Sequence, residues 1–276
     1  MDRWAVFTEG ILRETLRQDT VWLGRLVNAS ALGSLRKSFS MLGKPRPSWT
    51  ALVLKALSLA LREHPAMNRL LLGGRYRYRP VQLERVDATV AVESPGGDSG
   101  MVYGAILRDT DEKSCSRITQ ELSTLAGPGA NDDPRLKQLK RMVHRTPGWL
   151  CRLLVSLPRY SPKLWIKHRG GSFALTTVGK YGVDVNYATW PWPLTITMGE
   201  VAVRPVAVGR ELDARDTFSL SMGYDHRLAN GGPAARFFRE VVRRIEAADL
   251  GEVLPEGACR KKVPRKLAAG TVGAGN

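Results

Sequence analysis

The chain has 276 residues, 43% hydrophobic and 25% charged, the proportions of a globular protein with room for one large core or two small ones. Its 42 Lys and Arg against 26 Asp and Glu leave a formal charge of +16, which favours anionic partners: nucleic acid, an acidic membrane surface or a phosphorylated small molecule. No stretch approaches the roughly 18 consecutive apolar residues of a membrane span, and MDRWAVFTEG has no signal-peptide pattern, so a cytoplasmic location is expected.

Residues 21–30, VWLGRLVNAS, alternate as a strand that ends in a turn. The run KPRPSWTALVLKALSLALREHPAMNRLLLGG opens with two prolines and Ser48, a good N-cap, and carries Leu52, Leu54, Leu57, Leu59 and Leu61. That predicts a helix apolar around its circumference, therefore buried, ending near His64-Pro65 because proline disfavours helical geometry at the residue before it. VQLERVDATVAVESPGGDSGMVYGAILRD reads as strand, loop, strand, with Pro95-Gly96-Gly97-Asp98 as the turn. Over residues 109–126, capping signals and Ile118, Leu122 and Leu125 predict a helix, which GPGANDD ends.

From Pro134 to Arg169 there are ten Lys and Arg residues and no acid. Trp149, Leu150, Leu153, Leu154, Val155, Leu157 and Trp165 lie among them, in helical pieces broken at Pro147, Pro158 and Pro162. We expect a helix pair that packs its apolar side on the core and solvates its basic side. Contact with an anionic bilayer and binding of a ligand phosphate are the alternatives. From Ser172 the pattern turns to strands: SFALTTVG, LTITMGEVAVRPVAV and TFSLSMGYDH, the last alternating Phe218, Leu220, Met222 and Tyr224. An amphipathic helix starts at Gly232-Pro233, with Ala235, Phe238, Val242 and Ile245 at helical spacing. Residues 1–258 are read as one domain, with a basic Trp-containing insertion over about 134–170, and 259–276 as a basic disordered tail.

Cys115, Cys151 and Cys259 are scattered and odd in number, and no HxxxH or HExxH spacing occurs; reduced thiols and no metal are expected. His64 precedes a proline, and His144 and His168 sit in the basic stretch, where surface placement explains them. His226 differs, because a strand delivers it to a Gly-rich loop that opens a helix, a geometry that exposes a side chain at the rim of a sheet. On local pattern alone a structural histidine remains the competing reading.

DHRLANGGPAARFFREVV is similar to the DHRxxDG signature of the dihydrolipoamide acyltransferase family, the catalytic cores of 2-oxoacid dehydrogenase complexes, and to the HxxxD motif of chloramphenicol acetyltransferase. SFALTTVGKYGVDVNYATWPWPLTITMGEVAVRPVAV, WTALVLKALSLALREHPAMNRLL and the segment from Val86 to Ala126 resemble other blocks of that family in the same order, over most of residues 20–248. The resemblance implies a mixed α/β sandwich of the chloramphenicol acetyltransferase type, with a mostly antiparallel sheet and helices on one face.

It also implies a chemistry. His226 would be the general base that takes a proton from a thiol or hydroxyl acceptor, which attacks the thioester of an acyl-CoA. Thr176, or Thr177 if the register slips by one, would donate to the tetrahedral oxyanion. Asn230 stands where most members carry an aspartate that holds the loop; it keeps hydrogen bonds and loses the charge. Asp225 and Arg227 are read as structural partners. Members are typically homotrimers with the site between subunits, and cubic assemblies of eight trimers also occur; a trimer is expected here. No lipoyl or subunit-binding segment is recognised. That implies a stand-alone enzyme with acetyl-CoA or another acyl-CoA as co-substrate and no bound lipoyl, moving an acetyl group to a hydroxyl of a small-molecule or carrier-bound intermediate, as in tetronate-type biosynthesis. The alternatives are a core served by a lipoyl domain on another chain, and a non-catalytic scaffold of the same fold, to which peripheral membrane contact would belong. Nucleic acid is not an expected partner, since no recognition motif accompanies the charge.

Overall fold

The computed structural model describes residues 3–93, 102–127 and 134–252. In chain order the elements are α1 (Arg3–Thr15), β1 (Thr20–Asn28), α2 (Ser30–Met41), α3 (Trp49–Glu63), the hairpin strands β2 (Arg69–Gly73) and β3 (Tyr78–Gln82), β4 (Ala88–Glu93), β5 (Val102–Leu107), α4 (Cys115–Ala126), α5 (Pro134–Arg145), α6 (Gly148–Ser156), α7 (Pro162–Arg169), β6 (Phe173–Thr177), β7 (Leu194–Met198), β8 (Ala202–Val208), β9 (Glu211–Asp225) and α8 (Gly231–Ala247).

Seven strands form the main sheet in the order β1-β9-β7-β6-β4-β5, with β8 also on β9. The pairs β4–β6 and β6–β7 are parallel and the others antiparallel, so the sheet is mixed and mostly antiparallel, as expected. Fifteen-residue β9 is its axis, pairing along β1 on one side and, in succession, β8 and β7 on the other. LTITMGEVAVRPVAV therefore makes two strands. Pro205 sits in β8, which pairs only with β9, the edge position proline tolerates.

The helix from Trp49 to Glu63 starts where its cap places it: Ser48 Oγ accepts from the Ala51 N–H at 3.1 Å. Its apolar residues pack with α8 on one face of the sheet, against Phe173, Leu175, Leu194, Ile196, Phe218, Leu220 and Tyr224. Lys55, buried in that helix, donates from Nζ to the carbonyls of Asp111 and Lys113, each at 2.7 Å, which solvates the charge with backbone oxygens.

Three features were not read from the sequence: α1, α2 and the β2–β3 hairpin. The basic segment also behaves differently from the expected helix pair on the core. The buried Cys151 and Val155 of α6 join Phe7 of α1 and Val143 of α5 in a separate small cluster. Trp165 of α7 goes instead to the sheet's second face, with Ala174, Trp192 and the hairpin residues Leu70 and Leu72. Arg169, counted among the solvated cations, is buried: its guanidinium donates to both Glu14 oxygens at 2.8 and 2.9 Å and to the Val155 carbonyl at 2.7 Å. Helix α1 supplies the partners of α6 and of Arg169, and the hairpin and β6 those of Trp165. Cys115 and Cys151 are buried free thiols, while Cys259, the expected tail from 259 and the turn at 95–98 lie outside the described residues.

Candidate active site

Strand β9 ends at Asp225, and the next two residues are fixed by a side-chain clamp. The Asp225 carboxylate, almost fully buried, accepts from the Arg227 N–H at 3.0 Å and from its guanidinium at 2.9 and 2.6 Å. Arg227 in turn donates to the Arg75 carbonyl at 2.8 Å and lies over the Tyr78 ring, 4.8 Å from its centroid. The carboxylate holds the guanidinium above the usual arginine range. The expected structural pairing of Asp225 and Arg227 is thus present. Between them, the His226 N–H donates to the Asp19 carbonyl at 2.8 Å, and its side chain is exposed. Its ring runs nearly parallel to that of buried Tyr224, centroids 6.1 Å apart.

Asn230 occupies the N-cap of α8. Its carbonyl accepts from the Ala234 N–H at 3.2 Å, while its exposed amide makes no capping hydrogen bond.

Thr176 and Thr177 part company at β6. Successive side chains alternate across a strand, so Thr177 points with Phe173 and Leu175 toward the helices and Thr176 with Ala174 toward the other face. Thr177 Oγ1 accepts from the Gly179 N–H at 3.4 Å. Across the sheet Thr176 is level with Thr197, and Thr197 with Ser221, so three hydroxyls cross that face in one row.

That row lies five residues short of His226 along β9 and two strands away. With about 3.3 Å per residue and about 4.8 Å between strands, the two sites are roughly 15–20 Å apart in one chain. An imidazole and a hydroxyl acting on one reacting atom need contact within about 3 Å of it. The fold places His226 and Thr176 on one sheet but does not bring them together within one subunit.

The second face also uses residues the sequence reading passed over. Trp22 of β1 lies flat over Gly223, where an added Cβ would meet its ring at 2.8–3.0 Å, and Tyr187 meets it edge-on at 5.2 Å. Thr197 donates to the Asn186 carbonyl. Lys180 and Tyr181, just past β6, both bond Glu93, and the lysine contact holds that carboxyl below the usual range. A glycine within an otherwise apolar strand is the signal that was available for the Trp22 contact. Beside the clamp, Glu14, Arg17, Leu71, Trp165, Pro193 and Arg227 line a crevice that joins α1 and α7 to the loop.

A mixed sheet with α3 and α8 on one face thus carries an exposed histidine just past the end of β9. The chain is similar in fold to a probable dihydrolipoamide acetyltransferase of Listeria monocytogenes (TM-score 0.65, 19% identity, 88% of this chain and 90% of that one). It is likewise similar to the cubic core of the pyruvate dehydrogenase multienzyme complex (TM-score 0.66, 20% identity, 88% of each). The profile of the 2-oxoacid dehydrogenases acyltransferase (catalytic domain) family matches residues 12–141 and 166–251, and the chain belongs to that family. Among curated relatives, it is 25% identical to the chloroplastic dihydrolipoyllysine-residue acetyltransferase component 4 of the pyruvate dehydrogenase complex of Arabidopsis thaliana, over 86% of this chain and 42% of that one. It is 27% identical to the dihydrolipoyllysine-residue succinyltransferase component of the 2-oxoglutarate dehydrogenase complex of Bartonella vinsonii, over 80% of this chain and 46% of that one. The chain thus spans less than half the length of these relatives.

Proposed function

We propose that the chain is an acyl-CoA-dependent acyltransferase whose site is completed between subunits, His226 of one copy acting with Thr176 of another. The separation of the two residues within one chain, with His226 exposed and Thr176 half-buried on the face away from α3 and α8, carries this reading. In the reaction, His226 accepts the proton of an acceptor hydroxyl or thiol as the acceptor oxygen or sulfur attacks the thioester carbonyl. The Thr176 hydroxyl donates to the oxyanion that forms. The oxyanion collapses, the carbon–sulfur bond of the acyl-CoA breaks, and the departing thiolate takes the proton back from the imidazolium. The Asp225–Arg227 clamp positions the loop, and the Asn230 backbone carbonyl ties its end to the start of α8.

Work on the catalytic mechanism of the Azotobacter vinelandii dihydrolipoamide acetyltransferase, similar to this chain with a TM-score of 0.66, addresses a serine, a histidine and an asparagine, the last two four residues apart, as His226 and Asn230 are. The homotrimer expected from the resemblance supplies the second copy, and a cubic assembly such as the one the pyruvate dehydrogenase core forms is its larger counterpart. The favoured transfer is O-acetylation of a small-molecule or carrier-bound hydroxyl from acetyl-CoA in the cytoplasm. The names of the relatives support a second acceptor, a dihydrolipoyl group on another chain.

The test is CoA release from acetyl-CoA with a panel of alcohols and thiols, free dihydrolipoamide among them. Acceptor-dependent turnover should collapse in His226→Ala and fall by roughly two to three orders of magnitude in Thr176→Ala. Unfolded and refolded together in equal amounts, the two inactive variants should regain activity at about a quarter of the sites, those pairing an intact histidine with an intact threonine. No regain would place the site within one subunit, and neither turnover nor CoA binding would leave the scaffold.

A further inference from the structure

The family profile passes over residues 142–165, which hold the end of α5, all of α6 and the start of α7. Helix α6, GWLCRLLVS, is apolar nearly all round, a pattern that normally means burial on every side. Only one side is covered, Cys151 and Val155 facing α1 and α5. On the opposite side Trp149 is 68% and Leu153 51% exposed, and Leu157 and Tyr160 continue the stripe. From Trp149 to Leu157 it runs two turns, about 12 Å.

The surroundings specify what would cover it. Arg141, Arg145, Lys163 and Lys167 are exposed on the flanking helices, and residues 134–169 contain no acid. The nearby acids of α1 are already engaged, Glu9 by Arg13 and Arg152, and Glu14 by Arg169. An exposed stripe of tryptophan, tyrosine and leucine in a basic segment without acids matches a lipid interface, where the rings sit at headgroup depth, the leucines reach the acyl region and cations meet lipid phosphates. A nucleic acid would use the cations and leave the stripe in water. We propose that this lobe lays its α6 face on an anionic bilayer, making the protein a peripheral membrane protein.

The experiment is co-sedimentation of the full chain with vesicles of phosphatidylcholine alone and of an equimolar mixture with phosphatidylglycerol. Binding is expected on the mixed vesicles and should be lost on raising salt. The double variant Trp149→Ser, Leu153→Ser should bind about tenfold more weakly or worse, and Lys163→Glu with Lys167→Glu should weaken binding and flatten its salt dependence. Both pairs are exposed, so melting temperature and oligomer mass should match the parent. His226→Ala should bind as the parent does, which separates this result from the catalytic reading. Absence of binding to the mixed vesicles, or undiminished binding by the Trp149, Leu153 variant, overturns the proposal. So does a change of oligomer mass in that variant without vesicle binding, which would make the face a contact between copies.

Discussion

The two faces of the sheet come from the same strands and carry opposite chemistry. Along β9, Phe218, Leu220, Met222 and Tyr224 meet the helices, while Ser219, Ser221, Gly223 and Asp225 alternate with them on the other side. Strands β6 and β7 repeat this, setting Phe173, Leu175, Leu194 and Ile196 against Ala174, Thr176, Thr195 and Thr197. A side-chain period of two thus divides each strand into a half that holds the apolar core against the helices and a half of small and hydroxyl groups, mostly buried under the second-face loops, of which Thr176 and Ser219 stay partly open. Stability and chemistry should then separate by the parity of the residue number.

The sharpest way to break that division is on the helix side. Phe173→Ala leaves a cavity among fully buried neighbours and should cost about 3–5 kcal/mol of stability, read by chemical denaturation. Its neighbour Thr176→Ala, half-buried on the other face, should change stability by no more than about 0.5 kcal/mol while losing the activity already described. A comparable loss of stability in both would abolish the distinction. Gly199→Ala tests where the faces are joined. A Cβ there would meet the Asp184 carbonyl oxygen at 1.9 Å, so the segment that supplies Asn186 and Tyr187 to the second face must move. We expect a cost of about 2–3 kcal/mol together with a fall in kcat, measured on the same preparation.

The smallest effect lies on the outer side of α8. Glu240 is held down to about 2, first by its hydrogen bonds with Arg243 at 2.9 and 2.7 Å and then by the charges of Arg243 and Arg244. Its folded value lies below the ordinary 4.5, so its contribution is complete at neutral pH and is lost as pH falls from about 4.5 toward 2. Glu240→Gln should therefore be less stable than the parent at pH 7, with the gap closing as acid is added; a gap independent of pH would assign the residue no part in the acid limb.

How much of this was legible follows from how local each feature is. The helix from Trp49 and the strand to Asp225 announce themselves through a cap, a proline and a strict alternation, all within their own residues. Helix α2, SALGSLRKSFSM, has a weaker signature: serines and a glycine dilute its apolar positions, and no side chain caps it. The hairpin strands were hidden by length, five residues each, although Gly73-Gly74 marked their turn. His226 was legible because a strand, a loop and a helix meet there. The level row of Thr176, Thr197 and Ser221 was not, since it depends on pairings among β6, β7 and β9 that no local pattern encodes. The same holds for Arg169, whose partner Glu14 is 155 residues away.

The clamp on the histidine loop has an evolutionary side. Arg227 grips the hairpin through the carbonyl of Arg75, a group every amino acid possesses. Mutational drift at position 75, or at the fully displayed Tyr76, therefore leaves that hold on the loop intact. Drift is barred a few positions earlier: Gly73 has φ +117°, and a Cβ there would meet the Arg77 carbonyl oxygen at 2.4 Å. In lineages descended from this sequence, the side chain at position 76 should vary freely, that at 75 should be held only by its ion pair with Asp19, and this one glycine should persist.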